Sequence, residues 1–243
     1  MRVKYLGNSG FAIGLDRSLL LIDDISKGAF IRAESIAAFE HITVLISHAH
    51  ADHFDPTIFN LYRARGGNVQ YVLSGDILDT RLADTPVPFP VMRIDPGQRH
   101  EVNGISIQAY DSTDAGVSFD IYTQYAGRDI RLFHAGDLNN WHWKHDGDEE
   151  WTKKQTEDYT RILDGIAMEP KIDLAFFPFD PRMGADYEEG ALQFIERFEP
   201  AMTVPMHFGA TWKEPEGLTQ KLEGKTLLCP LSTPGTAFEA QLA

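Results

Sequence analysis

The sequence of 243 residues predicts one domain of the α+β class, in which strands and helices are mixed along the chain. Short apolar segments bounded by Gly, Asn and Asp fill residues 1–22 and return over residues 93–133, as expected for strands. Segments with helical spacing of apolar residues stand between the other strands. Because no repeat, low-complexity tract or flexible linker divides the chain, we expect a single domain over residues 1–243.

The predicted elements follow one another in a definite order. Apolar runs that end at turn-forming residues predict strands, at residues 3–5, 11–13, 19–22, 43–46, 69–73, 93–95, 105–110, 117–123, 130–133, 174–177 and 201–205. Apolar residues at helical spacing predict helices, at residues 31–39, 56–64, 148–167 and 187–198. Pro56 suits the first turn of its helix, where no N–H is needed. Asp186 suits the cap of the last helix, because its carboxylate can accept a backbone N–H.

The charge balance excludes some classes of partner. The chain has 22 Lys and Arg against 36 Asp and Glu, a formal net charge of −14. Because nucleic-acid backbones are held mainly by Lys and Arg, we expect no nucleic-acid partner. Cys229, the only cysteine, cannot form an internal disulfide, which fits a reducing compartment. The first residues lack a signal-peptide pattern, and no apolar run approaches the ~20 residues that span a membrane, so we expect a cytoplasmic protein.

Residues 48–53 carry the strongest functional signal. They read His-Ala-His-Ala-Asp-His, directly after a predicted buried strand, and contain three of the nine histidines of the chain. Imidazole and carboxylate groups are ligands that zinc and similar divalent ions take in proteins. On a turning backbone, His48 and His50 can face one point while Asp52 and His53 reach a second. The motif therefore predicts a site for two metal ions.

This motif resembles the His-x-His-x-Asp-His signature of the metallo-β-lactamase superfamily. Two later features match in the same order: the pair Gly136 and Asp137 after a strand, and His207 after a late strand. The resemblance covers residues 3–209, including the short N-terminal strands that end at Asp23 and Asp24. It implies a four-layer αββα sandwich. Within the superfamily, the chain is similar to the ascorbate-6-phosphate lactonase-like group of Zn-dependent hydrolases.

The resemblance also implies roles for individual residues. It implies two divalent ions, foremost Zn²⁺ with Mn²⁺ or Fe²⁺ as alternatives, and water as the nucleophile. It assigns His48 and His50 to the first ion, Asp52, His53 and His207 to the second, and Asp137 to both. We also count Asp52 among the catalytic residues.

The chain departs from the family pattern at one ligand of the first ion. The family has a further His at the end of a strand, in a region where this sequence has aspartates. Asp111 is the expected replacement and Asp114 the next candidate, while His100 is expected to be an exposed loop residue. A carboxylate there makes the first site richer in oxygen, which favours Mn²⁺ or Fe²⁺. It also leaves open a protein that binds only the second ion.

Aromatic and basic side chains close to the predicted ligands suggest a substrate pocket. Trp141 and Trp143 are candidate pocket walls, with packing beneath the following helix as the alternative. Between them, His142 is a candidate proton donor to the substrate. Arg182 could hold a carboxylate or phosphate of the substrate, or pair with a neighbouring aspartate. His134 is either a group that supports the ligands or a buried core residue.

These features predict a metal-dependent hydrolase that cleaves an ester-like bond, in a lactone, phosphodiester or thioester, of a small molecule. One alternative is a metal-dependent nuclease, which the charge of −14 disfavours. Another is a non-hydrolytic redox or binding protein with a carboxylate-rich pair of metals, which Asp111 keeps open. A homo-oligomer is compatible with the sequence.

Overall fold

The computed structural model describes residues 1–31, 36–84, 87, 89–143, 149–185 and 187–242. The strands are β1 (Arg2–Gly7), β2 (Gly10–Leu15), β3 (Ser18–Ile22), β4 (His41–Ile46), β5 (Val69–Ser74), β6 (Val91–Ile94), β7 (Arg99–Val102), β8 (Ile105–Tyr110), β9 (Ser118–Tyr125), β10 (Arg128–His134), β11 (Leu174–Pro178), β12 (Met202–Met206), β13 (Leu227–Leu228) and β14 (Ala237–Glu239). The helices are α1 (Asn60–Arg65), α2 (Glu149–Gly165), α3 (Glu189–Phe198) and α4 (Leu218–Leu222). Short 3-10 turns occupy Pro56–Phe59, Gly66–Asn68 and Pro181–Met183, and a π-helical turn occupies Ile77–Arg81.

The strands form two sheets with related topology. The first has the order β14-β1-β2-β3-β4-β5-β6 and the second the order β13-β12-β11-β10-β9-β8-β7. In the first sheet, the antiparallel strands β1 to β3 are followed by the parallel strands β4 to β6. In the second, the antiparallel strands β7 to β10 are followed by the parallel strands β11 to β13. The carboxyl ends of the parallel strands therefore share one edge in each sheet.

Side chains that alternate along each strand build the layers. In β3, Leu20 and Ile22 belong to the core shared with the second sheet, whereas Leu19 and Leu21 belong to the core on the other face. This separation follows from the two-residue period of a strand. Across the central layer, the rings of Phe11 and Phe176 lie 4.3 Å apart between centroids. The structure confirms the predicted α+β class and the αββα sandwich.

Helices cover the outer face of the second sheet. In α2, one face buries Tyr159, Ile162 and Leu163. Acidic side chains in its first turn stabilise the helix by interacting with the positive end of its dipole. In α3, Phe194 packs against Phe177 of the sheet with ring centroids 4.7 Å apart. These contacts fix the loops at the carboxyl ends of β10 and β11.

The predicted elements correspond closely to the observed ones. Every predicted strand overlaps an observed strand, and the predicted helices 148–167 and 187–198 correspond to α2 and α3. Predicted helix 56–64 is a 3-10 turn continued by α1. Residues 32–35 of the predicted first helix, and the predicted cap Asp186, lie outside the described residues. The sequence did not predict β7, β13, β14, α4 or the π-helical turn.

Within the described part of the chain, no helix has both the length and the apolar composition needed to cross a bilayer.

Candidate metal centre

The predicted ligands meet at the shared edge where parallel strands end. Residues 48–53 follow β4, Asp137 follows β10, and His207 follows β12. Asp114 lies in the connection from β8 to β9. Loops at the carboxyl ends of parallel strands meet at one edge of a sheet, which explains why ligands far apart in sequence converge here.

Two groups of side chains have the geometry to hold a cation. In the first, atoms of His48, His50, Asp114 and Asp137 all lie within 4.8 Å of one another. In the second, atoms of Asp52, His53 and His207 do so. Each group combines imidazole nitrogens with carboxylate oxygens, the donor set that suits Zn²⁺ and, with more oxygen, Mn²⁺ or Fe²⁺.

Asp137 lies between the two groups. Its Oδ1 is 3.1 Å from His53 Nε2, and its Oδ2 is 3.5 Å from His48 Nε2 and 3.6 Å from His207 Nε2. Both Asp137 Oδ1 and His207 Nε2 are buried and make no hydrogen bond to the described residues. Buried polar atoms without partners are costly, and a shared cation would satisfy both. The residues present therefore fit a pair of divalent ions.

Two further carboxylates support the histidines of the second group from behind. Asp23 Oδ2 lies 2.8 Å from His53 Nδ1, and Asp180 Oδ2 lies 3.1 Å from His207 Nδ1. Since each carboxylate accepts the Nδ1 proton, Nε2 of each histidine faces the centre, where it can bind a cation in place of its proton. Asp23 also accepts hydrogen bonds from the Ser47 N–H and hydroxyl, which ties it to the start of the motif.

The electrostatics of the centre favour positive charge. Burial opposes protonation of His53 and His207, but Asp137 and the supporting carboxylates raise the pKa of His53 to about 10 and that of His207 to about 9. Burial and the neighbouring His53 lower the pKa of His48 to about 4. Although burial opposes ionisation, the histidines hold the pKa of Asp137 well below its usual range. The site therefore retains anionic carboxylates that a divalent cation can neutralise.

The backbone of residues 48–53 is held by hydrogen bonds from residues that the sequence analysis did not identify as part of the site. The Ala49 N–H donates to Asp76 Oδ2 at 2.9 Å, and Arg81 Nη1 donates to the Ala49 carbonyl at 3.1 Å. On the other side, Asn8 Nδ2 donates to the Asp52 carbonyl at 3.1 Å and to its carboxylate at 3.3 Å. These contacts fix the backbone at Ala49, directly before His50, and at Asp52.

His134 positions the turn that carries Asp137. It accepts the Gly136 N–H at Nδ1, 3.1 Å away, and donates from Nε2 to the Ser9 carbonyl at 2.9 Å. These partners define a neutral imidazole protonated at Nε2, and burial lowers its pKa. Of the two predicted roles, support of the site agrees with these contacts.

We expect Gly116→Ala to destabilise the protein by about 3 kcal/mol or more. Gly116 has a φ of +63°, and a Cβ there would lie 2.0 Å from the Ser47 carbonyl oxygen and 2.5 Å from His48 Cβ. Gly127→Ala is the matched control, because Gly127 has a φ of +77° and nothing lies within 4 Å of its added Cβ. That control should lose only about 1–2 kcal/mol for the left-handed backbone. Urea unfolding measures the free energy of unfolding of both variants. Equal losses of stability would show that Gly116→Ala causes no clash with residues 47 and 48.

The structure corrects the prediction for the remaining ligand of the first group. Asp111 Oδ2 lies 3.2 Å from Arg161 Nη2 on the surface, so Asp111 forms an ion pair and not part of the cluster. Asp114, the second candidate, takes the place, with its Oδ2 3.6 Å from His50 Nδ1. The reason is the turn after β8, which directs the earlier aspartate towards α2. His100 hydrogen-bonds the Arg93 carbonyl at 2.8 Å, away from the centre.

A cleft of about 330 Å³ opens onto the two groups. Trp141, Trp143 and Arg182 all line it, as do Asp52 and Asp114. The two indole rings are nearly parallel, 6° apart, with centroids 5.9 Å apart. The structure thus places both tryptophans at the mouth of the site, and Trp141 is fixed there because its Nε1 donates to the Asp137 carbonyl.

His142 and Arg182 differ in how far they can meet a substrate. His142 is buried, is not among the residues that line the cleft, and lies 2.8 Å through Nδ1 from the Asn140 carbonyl. This placement corrects its predicted role as a direct proton donor: it shapes the turn behind the tryptophans. Arg182 pairs with Asp180, as one of its two predicted roles requires, and it also lines the cleft, so contact with a substrate stays a prediction.

A larger depression of about 840 Å³ lies at the opposite end of the second sheet. Its buried cation, Arg131, already donates to both oxygens of Asp120 and to the carbonyls of Ala167 and Pro170. Since these bonds satisfy the guanidinium, we interpret this depression as structural and place the chemistry in the smaller cleft.

Comparisons with known proteins agree with the observed fold. The UPF0173 metal-dependent hydrolase of Symbiobacterium thermophilum is 24% identical over 216 residues, which cover 86% of this chain and 84% of that protein. Igni18, a metallo hydrolase from Ignicoccus hospitalis, superposes with a TM-score of 0.66 at 21% identity over 99% of both chains. YhfI from Bacillus subtilis, a metallo-β-lactamase fold protein, gives a TM-score of 0.58 at 12% identity over 98% of both chains. No protein-family model matches the chain.

The comparisons agree with the observed fold. The chain has the fold of metallo-β-lactamase proteins and is similar over most of its length to proteins described as metal-dependent hydrolases. The likeness to the ascorbate-6-phosphate lactonase-like group stays a prediction from the sequence.

Proposed function

We propose that the protein binds two divalent ions, one in each ligand group, and hydrolyses an ester-like bond of a small molecule. The observation that carries this proposal is the position of Asp137, whose two oxygens face histidines of both groups. Zn²⁺ suits the imidazole ligands, and the carboxylate of Asp114 widens the choice to Mn²⁺ and Fe²⁺. Lactones, phosphodiesters and thioesters are the candidate substrates, because all three present an electrophilic centre with a polarisable oxygen.

Bound divalent ions would polarise the scissile carbonyl or phosphoryl group and lower the pKa of water towards about 7. The chain contributes orientation and charge. The imidazole of His207, whose Nε2 lies 3.4 Å from Asp52 Oδ2, holds the pKa of Asp52 well below its usual range, so this carboxylate is ionised at neutral pH. Because Asp52 lines the cleft, it can accept a hydrogen bond from the attacking water. Asn8 fixes the carboxylate for this task.

The proposed reaction class is tested with a panel of lactones, phosphodiesters, thioesters and single-stranded nucleic acid. The protein is supplied in turn with Zn²⁺, Mn²⁺ or Fe²⁺ after removal of bound metal by a chelator. We expect metal-dependent release of an acid or alcohol from at least one small-molecule ester. Turnover of nucleic acid alone would favour the nuclease alternative, and oxidation of a substrate without hydrolysis would favour the redox one.

We expect Asp114→Asn to lower the number of ions retained after dialysis from about two to about one per chain. The substitution removes the negative charge of one ligand from the first group. Because His50 of the same group is also half exposed, the remaining ligands are expected to hold the first ion weakly. Asp111→Asn is the matched control, since Asp111 lies three residues away but pairs with Arg161. Elemental analysis gives the stoichiometry. A loss of metal in Asp111→Asn, with none in Asp114→Asn, would reverse the assignment.

A further inference from the structure

The walls of the cleft are unusually aromatic. The chain has four tryptophans, and Trp141, Trp143 and Trp151 line this one cleft. Trp141 and Trp143 come from the loop after Asp137, whereas Trp151 comes from the first turn of α2 and is 36% exposed. Flat aromatic surfaces favour flat ligands, because stacked or edge-to-face rings gain energy beyond the area they bury.

Gln155 adds a polar group to the same wall. It lies four residues after Trp151 in α2, so both side chains project from one face of the helix. Gln155 also lines the cleft, and its side-chain oxygen is buried without a hydrogen-bond partner among the described residues. A ligand with a hydroxyl or N–H group at this depth would satisfy that oxygen.

Arg182 gives the cleft a cationic group that can bind an anion. Asp180 accepts from Nε and Nη2 of Arg182, which leaves Nη1 to bind a ligand. Two divalent ions and Arg182 would together neutralise the carboxylates of the centre, which are Asp23, Asp52, Asp114, Asp137 and Asp180. An anionic group of a ligand would then meet no uncompensated negative charge beside Arg182.

We propose that the substrate carries a planar, ring-containing group that lies against Trp151 and Trp143, and an anionic group bound by Arg182. Gln155 then selects rings that bear a hydrogen-bond donor. This inference rests on the proposed hydrolase function for the position of the scissile bond, but not for the binding itself. A cleft of about 330 Å³ accommodates one such small molecule, at the lower end of the volumes of about 300–1,000 Å³ usual for ligand sites.

Binding is tested on the metal-loaded protein by quenching of tryptophan fluorescence, with 2-naphthoate, cyclohexanecarboxylate and acetate as probes. Coordination of a carboxylate to metal is common to all three, so their differences report on the ring. We expect 2-naphthoate to bind at least about 10-fold more tightly than acetate and more tightly than cyclohexanecarboxylate. Equal affinities for the three probes would overturn the proposal.

Variants locate the interaction. Trp151→Leu should weaken 2-naphthoate about 5-fold and leave acetate unchanged, because it keeps apolar bulk but removes the flat surface. Gln155→Leu should remove any preference for 6-hydroxy-2-naphthoate over 2-naphthoate. Trp212→Phe is the control, since Trp212 packs on Phe179 and Phe208 outside the cleft lining. Helical content by circular dichroism verifies that α2 is intact in each variant.

The readout separates this inference from the proposed function. If the protein binds 2-naphthoate as expected but hydrolyses no ester in the panel, the proposed reaction fails and the ligand class stands. If it hydrolyses acetyl and naphthoyl esters with equal kcat/KM, and binds the three probes equally, the reaction stands and the ligand class fails.

Discussion

Asp137→Ala is expected to reduce hydrolysis by more than about 1000-fold, the largest effect of any single substitution in this chain. Asp137 is the one carboxylate within reach of His48, His53 and His207 together among the described residues. Without it, the two ions lose their shared ligand and the imidazoles around them lose a compensating negative charge. Steady-state rates at saturating metal measure the loss.

Two controls separate this effect from unfolding. Asp137→Asn keeps the volume and one oxygen ligand but removes the charge, so it should retain more metal than the Ala variant while remaining strongly impaired. Asp111→Ala removes a carboxylate from the same edge of the fold without touching the centre and should keep full activity. Circular dichroism should report the same two sheets in all variants. Undiminished turnover in Asp137→Ala would remove this residue from the bridging position.

Asp23→Asn is expected to weaken binding of the ion held by Asp52, His53 and His207 by about 10–100-fold. In the native chain, Asp23 accepts the Nδ1 proton of His53 and leaves Nε2 free to face the centre. An asparagine can turn its NH₂ group towards Nδ1, which moves the imidazole proton to the metal-facing Nε2. Competition with a chromophoric chelator measures the affinity for Zn²⁺.

The same change should lower the free energy of unfolding of the metal-free protein by roughly 3 kcal/mol, because it breaks a fully buried charged pair. Asp24→Asn provides a matched control. Asp24 is also buried, but its carboxylate accepts the Ser26 N–H, and burial raises its pKa. This control should keep the native metal affinity; a similar loss in both variants would mean that Asp23 acts only through general packing.

Local sequence patterns were sufficient for most of the framework. The alternation of apolar residues and the turn residues between them placed every predicted strand on an observed one, because strand and turn preferences act over a few residues. Strands β7 and β14 were not predicted, because their own residues carry no apolar strand pattern and they form through pairing with other strands. Residues 99–102 are mostly polar, and β14 is held by its pairing with β1, more than 230 residues away in sequence.

The site divides in the same way. The metal ligands in residues 48–53 could be predicted from the sequence, since they lie within six residues and their spacing alone indicates metal chemistry. The roles of Asp23 and Asp180 could not be predicted. A carboxylate after a strand supports a histidine only when another strand brings that histidine within about 3 Å. The choice between Asp111 and Asp114 could not be made from composition either, since both are aspartates in one short turn.

The sequence by itself determined the fold class, the metal motif and the order in which the ligands occur. Tertiary structure alone decided that Asp114 and not Asp111 joins the first group, that His142 lies behind the cleft, and that Trp151 and Gln155 face it. The physical reason is the range of the interactions. A motif within six residues is fixed by local backbone geometry, whereas the direction of a side chain in a turn or on a helix depends on which distant surface it packs against.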